Sequence, residues 1–175
     1  HLVRLPRAFF CFQPADPAPP VNPLPALQRG YVTFGSLNQT VKLRPHAWRV
    51  WMEILRATPN SRLLVLADAC DAFAANVRQI VQRSGVGPDR VEIVPKRPRY
   101  EYLALHQEID LALDSFPFNG HTTVCDALWM GVPSMMLEGT SYASRFGSSA
   151  YRHLGLEEFV ARGPEQYVRA AVGKR

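Results

Sequence analysis

The 175-residue chain has no apolar run approaching the roughly 18 residues that a membrane-spanning helix needs. Its start, His1-Leu2-Val3-Arg4-Leu5-Pro6, lacks the long apolar core and the small-residue cleavage site of a secretory signal. It also lacks an initiator Met, which suggests a longer parent chain. Cysteine is scarce: Cys11, Cys70 and Cys125 are odd in number and widely spaced. That excludes a disulfide framework and a cysteine zinc site, and makes a reduced cytoplasm the simplest setting. Each cysteine is expected to be a buried apolar residue. No Gly-x-Gly-x-x-Gly follows any strand, and there is no P-loop, catalytic triad or metal cluster. His46, His106 and His153 have no partners at ligand spacing and read as surface or core-edge residues. The net charge is +5, but the basic residues are scattered rather than interleaved with aromatics. An anionic ligand such as phosphate is permitted; neither nucleic acid nor a membrane is expected as a partner.

What is present is a regular alternation. Residues 1 to 30 are expected to be irregular, because six prolines between Pro14 and Pro25 remove backbone donors and exclude helix. Before them, Ala8 to Phe12 reads as a short strand or a remnant of another domain. From Gly30 onward, β-rich and amphipathic stretches alternate. Strands are expected at Tyr31–Gly35, Arg62–Ala67, Val91–Val94, Ile109–Leu113 and Pro133–Leu137. Helices are expected from Pro45 to about Thr58, Cys70 to Arg83, Arg99 to Gln107, before Met130, Tyr142 to His153 and Pro164 to Val172. Trp48, Trp51, Met52 and Leu55 fall on one helical face and should meet a core, as should Phe73, Val77, Ile80 and Val81. The run Arg62-Leu63-Leu64-Val65-Leu66-Ala67 has the continuous apolarity of a strand buried on both faces. The fold class is therefore α/β, a doubly wound parallel sheet.

In such sheets ligands bind where the strands end, so the loops after the strands are where chemistry is sought. Three stand out. The stretch from Asp114 to Pro133 leaves a buried strand and enters a helix. Gly120 would allow close approach of a ligand to the backbone. Thr122 or Thr123 can cap the helix, whose first N–H groups and dipole suit a phosphate. His121 adds a further donor. Asp126, one turn on and on the face of Thr122, is placed to accept from ribose hydroxyls. Plain helix capping, with Asp126 favouring the positive helix end, accounts for the same residues. In the second loop, Lys42 can meet a phosphate as a point charge and Gln39 can hydrogen-bond a base or phosphate. A lone loop lysine is otherwise simply solvated. In the third, Pro95 to Tyr102, the aromatics can stack on a base while Arg97 and Arg99 meet ribose or phosphate. An exposed basic turn is the plainer reading.

The phrases GYVTFGSLNQTVKLRP, PNSRLLVL, DLALDSFPFNGHTTVCDALWMGVP and GTSYASR together resemble the catalytic domain of the protein O-GlcNAc transferase family, with its bacterial and SPINDLY-like members. The similarity runs from about Val3 to Val172. It implies a GT-B-type fold of two Rossmann-like lobes. Residues 31–175 would be the C-terminal, nucleotide-sugar-binding lobe, and residues 1–30 a connector or a remnant of the N-terminal lobe. The implied activity is inverting transfer of N-acetylglucosamine from UDP-GlcNAc to Ser or Thr hydroxyls of proteins, with no metal or other cofactor. By the same resemblance Lys42 is the catalytic residue, holding the diphosphate and stabilising the UDP leaving group. Gln39 contacts the nucleotide, His121, Thr122 and Thr123 surround the phosphates, and Asp126 and Arg99 meet the ribose. The Arg97 backbone reads the uracil edge. Tyr102 stands where animal relatives have a histidine against the base. It keeps an aromatic surface and leaves nucleotide choice open. SPINDLY-like relatives use GDP-fucose, so O-fucosyl transfer is the alternative, alongside a non-catalytic nucleotide-binding or interaction module. The acceptor-side lobe and the tetratricopeptide repeats of the family are expected upstream of this chain, and its final helices downstream.

Overall fold

The structure is a computed structural model that describes residues 10–68 and 70–173. Six strands form its centre: β1 (Val32–Ser36), β2 (Ser61–Ala67), β3 (Val91–Pro95), β4 (Leu111–Leu113), β5 (Ser134–Leu137) and β6 (Val160–Ala161). They lie in the order β3-β2-β1-β4-β5-β6, and every neighbouring pair is parallel. Such strands need covered faces, and β2 shows how the sequence supplies them. Leu63 and Val65 point into one apolar cluster, Leu64 and Leu66 into another on the opposite face.

The first cluster is closed by α2 (Pro45–Ala57), α3 (Asp71–Ser84) and α7 (Pro164–Gly173). Trp48, Trp51, Met52 and Leu55 of α2 are all within 2% of full burial, as their helical spacing predicts. On α3, Val77 and Val81 are buried while Phe73 and Ile80 pack partly covered beside them. The second cluster lies under α5 (Thr122–Trp129) and the segment that follows α4 (Arg99–Ala104). A smaller third cluster seats α6 (Phe146–His153) through Tyr151 on Val124, Met136 and Val160. Helices thus cover both faces, and the sheet is doubly wound.

Several local expectations change. A short helix, α1 (Pro25–Arg29), forms inside the segment expected to be irregular. Its proline is at the first position, where a missing N–H costs nothing, and Gly30 ends it at φ 73°. The segment before it is tied down: Asn22 donates to the Gln107 carbonyl, Gln107 to the Pro20 carbonyl, and the Ala26 amide to Asp110. Of the strand considered at Ala8–Phe12, residues 8 and 9 lie outside the described residues and Phe10–Phe12 is irregular. The helix expected to Gln107 gives way at Leu105 to a 3-10 turn. The helix expected from Tyr142 splits at Arg145: Ser141 and Ser144 form a capping box around one 3-10 turn, and α6 starts afresh at Phe146. Strand β6 went unpredicted, because two residues carry no period. The cysteines differ as well: Cys125 is buried, whereas Cys11 and Cys70 are exposed on irregular segments.

Candidate functional site

The strand order 3-2-1-4-5-6 reverses its direction of winding between β1 and β4. The loops leaving those two strands therefore part to opposite faces and open a crevice at their carboxyl ends. Lys42 comes from one of these loops and the start of α5 from the other.

The two loops are knitted together by buried polar groups. Asp114, the first residue after β4, accepts from the Asn38 side-chain amide at 3.1 Å and from the Gly120 N–H at 2.8 Å. Asn38 in turn accepts from the Thr123 hydroxyl at 3.0 Å. Asp114, Asn38 and Asn119 are 2%, 5% and 1% exposed, and the two bonds to Asp114 are shielded from bulk water. From α7 the Tyr167 hydroxyl donates to the Asp114 carbonyl at 3.3 Å. The Lys42 ammonium completes the junction, donating to the Asn119 carbonyl at 3.1 Å and lying 4.4 Å from the centre of the Phe118 ring.

Burial tunes the two charges at this junction. Asp114 is pushed up to about 6, chiefly because its carboxylate is out of water; the Gly120 N–H, the Asn38 amide and the Lys42 charge pull the other way. Lys42 is lowered from the ordinary lysine range, again chiefly by burial, and the Asp114 charge opposes that fall.

Two expectations about this loop change. Gly120 is not kept bare for a ligand. A Cβ there would come 2.2 Å from the Thr123 hydroxyl, 2.8 Å from Asp114 Oδ1 and 2.9 Å from Asn38 Oδ1, so the chain's own polar network fills that space. Neither threonine caps α5: the N-cap is His121, which makes no side-chain capping bond, and Thr123 turns to Asn38 instead. Among the described residues the N-cap side chain thus makes no capping bond to the first turn of α5, and the exposed Thr122 stands beside its amides. His121 stacks on Phe146 at 5.0 Å between ring centres and meets Phe10 edge-on at 4.4 Å.

The third loop also reaches this region. Arg99, the first residue of α4, makes two hydrogen bonds to Asp126 of α5, at 2.7 and 2.5 Å. Asp126 is 2% exposed and its partner 45% exposed, so the guanidinium covers the carboxylate while presenting its other side to solvent. A ribose hydroxyl reaching Asp126 has to share it with Arg99. Tyr102 packs under the same guanidinium, 5.3 Å from its centre, and burial together with the Asp126 charge pushes its hydroxyl above the usual tyrosine range. Gln39 and Arg97 stand exposed on the loops after β1 and β3. Of the histidines set aside as bystanders, His46 bonds the Phe116 carbonyl at 3.0 Å and His106 is 1% exposed beside Tyr102.

The residues that sequence reasoning passed over are Asp114, Asn38 and Asn119. The available signal was polarity at the carboxyl end of apolar strands, where a buried side chain must find a partner. Asn38 and Asp114 lie 76 positions apart, so their pairing carries no local mark. A concavity of about 1180 Å³ lies elsewhere, along the sheet edge between α3 and β3, lined by Val77, Val81, Val91 and Ile93 among others. It lacks the convergent buried polar groups of the crevice, so we place the candidate site at the crevice.

Comparison with known proteins fits this arrangement. The family model of glycosyl transferase family 41 matches residues 25–174. A tomato (Solanum lycopersicum) relative, called a probable UDP-N-acetylglucosamine–peptide N-acetylglucosaminyltransferase SPINDLY, is 40% identical across 98% of this chain. This chain spans only 19% of that relative's length. The structure of a Thermobaculum terrenum O-GlcNAc transferase mutant superposes with a TM-score of 0.92 at 35% identity, over 98% of this chain and 33% of that one. A glycosyltransferase of kitacinnamycin, 17% identical with a TM-score of 0.55 over 94% of this chain and 38% of its own, shares the fold. With the family model over most of its length and this architecture, the chain belongs to glycosyl transferase family 41.

Proposed function

We propose that this chain is the donor-binding lobe of an inverting glycosyltransferase that moves N-acetylglucosamine from UDP-GlcNAc to Ser or Thr hydroxyls of proteins. The observation that carries this reading is the meeting of the Lys42 ammonium with the uncapped start of α5 at the switch point. Both are sources of positive potential on the loops that leave two neighbouring strands.

The chemistry follows from the leaving group. The acceptor hydroxyl oxygen attacks the anomeric carbon as the bond from that carbon to the β-phosphate oxygen breaks. The electron pair departs with UDP, the acceptor hydroxyl's proton is released to water, and the configuration inverts. Negative charge grows on the diphosphate, and Lys42 with the α5 amides stabilises it, so the reading requires no metal. His121, Thr122 and Thr123 border the phosphates. Arg99, backed by Asp126, faces the ribose, while Tyr102 and the Arg97 backbone flank the base, with Gln39 at the outer edge. The crevice is an open ledge on one lobe, and the second lobe of a GT-B enzyme would close it over the donor.

The test is transfer of radiolabelled sugar to a Ser/Thr peptide by the full-length protein, with UDP-GlcNAc and GDP-fucose offered separately. Transfer from UDP-GlcNAc, lowered about 100-fold or more in kcat by Lys42→Ala, is the expected result. Transfer from GDP-fucose alone would reassign the donor. Transfer from neither would contradict the reading.

A further inference from the structure

The candidate site leaves one group without a role: a carboxylate sealed beneath the ledge. Asp114 cannot touch a donor, because it is 2% exposed and lies under Gly120 and Asn38. A buried carboxylate is costly to keep, and Ser or Asn would accept the same two hydrogen bonds without a charge. Its bonds run in two directions. Through the Asn38 amide it holds the loop that carries Lys42; through the Gly120 N–H it holds the turn that starts α5. Thr123 closes the ring by donating from α5 to Asn38.

We propose that Asp114 is a positioning residue for the leaving-group site, clamping the Asn38–Lys42 loop onto the start of α5 so that the ammonium and the first helical amides face one point. This rests on the donor-lobe reading above. The charge of Asp114 then has a purpose that an uncharged acceptor lacks. Lys42 is half-buried, and burial favours its neutral amine; the neighbouring carboxylate favours the ammonium. The ionisable groups that face Asp114 are Lys42 from the first loop, Tyr151 from α6 and Tyr167 from α7. Both tyrosines are raised by burial above the usual tyrosine range and stay neutral, which leaves Lys42 as the charge that Asp114 answers.

The chain has three lysines, Lys42, Lys96 and Lys174, so carbon-13 NMR of labelled lysine side chains follows Lys42 individually as pH is raised. Three proteins are compared: the native chain, Asp114→Asn and Asn38→Ala. Each is also titrated with UDP at pH 6.5 and 8.5, with circular dichroism to verify folding. In Asp114→Asn, Lys42 should lose its proton at lower pH than in the native chain, while Lys96, which pairs with Asp68, titrates unchanged. UDP binding should weaken about tenfold, and more at pH 8.5 than at 6.5. Asn38→Ala keeps the carboxylate but opens the clamp; it should weaken UDP binding by a similar factor at both pH values. Unchanged Lys42 titration and native UDP affinity in a folded Asp114→Asn would overturn the proposal, as would native affinity in Asn38→Ala. If neither the native chain nor the full-length protein binds UDP at either pH, the donor-lobe reading fails, and the Lys42 titration still judges the electrostatic half of the clamp on its own.

Discussion

Arg99 and Asp126, 27 residues apart, share two hydrogen bonds that tie the first residue of α4 to the middle of α5. The pair is lopsided: the carboxylate is sealed at 2% exposure and the guanidinium is nearly half open. Removing the open partner strands the sealed one. Breaking a fully buried pair this way costs about 3–5 kcal/mol, and water entering from the Arg99 side offsets part of it. Arg99→Ala should therefore lower unfolding stability by about 1–2 kcal/mol in urea, and Asp126→Asn added to it should recover part of that loss. A loss within about 0.5 kcal/mol, as for an ordinary surface change, would sink this view of the pair.

Gly120 offers a sharper structural test. One methyl group at this position would overlap Thr123, Asp114 and Asn38 together, and the first two belong to the α5 and β4 sides of the junction. The added atom strains a packed site and typically costs about 1–3 kcal/mol. Gly120→Ala should retain the far-ultraviolet circular dichroism of the sheet and helices, yet bind UDP at least about tenfold more weakly. Native affinity in this variant would mean that the network tolerates opening.

Asp114 predicts a pH dependence with a definite sign. Its acid strength is weaker in the folded chain, where it titrates near 6, than the 3.8 of an unburied Asp. A raised folded value means that the protonated form is favoured by folding. Its contribution is fully present below about 4 and is lost as pH rises through about 6, a change on the order of 3 kcal/mol. Asp114→Asn cannot ionise. The melting temperature of that variant minus that of the native chain should rise from about pH 4 to about pH 6–7 and then level off, whatever its starting offset. A flat or falling difference would contradict the burial of an ionisable Asp114.

How much of this was legible in the sequence varies by element. The core of α2 was, because two tryptophans at helical spacing have nowhere else to go. Strand β2 was, because its five-residue apolar run, Leu63 to Ala67, needs cover on both faces. The places of Lys42 and the α5 start were legible as strand-to-helix loops. The clamp beneath them was not: Asn38 and Asp114 look like ordinary loop polars until the sheet order sets β1 beside β4. Local chemistry also misled. Thr123 has the right residue type for a cap, but a buried Asn38 oxygen needed its hydroxyl more. Gly120 suggested room for a ligand, and its neighbours in space had already taken that room. The helix α1 escaped notice because proline excludes helix interiors but suits a first turn.

The central claim is that the diphosphate of a nucleotide sugar rests at Lys42 and the start of α5, and calorimetric titration of the full-length protein with UDP tests it most directly. Native protein and Lys42→Ala are compared side by side, with GDP as the competing nucleotide. The account predicts selective UDP binding that weakens about tenfold or more when the ammonium is removed, in line with the loss of a charged hydrogen-bond donor to phosphate. UDP affinity that is indifferent to Lys42→Ala would contradict it and move the phosphate site away from the switch point.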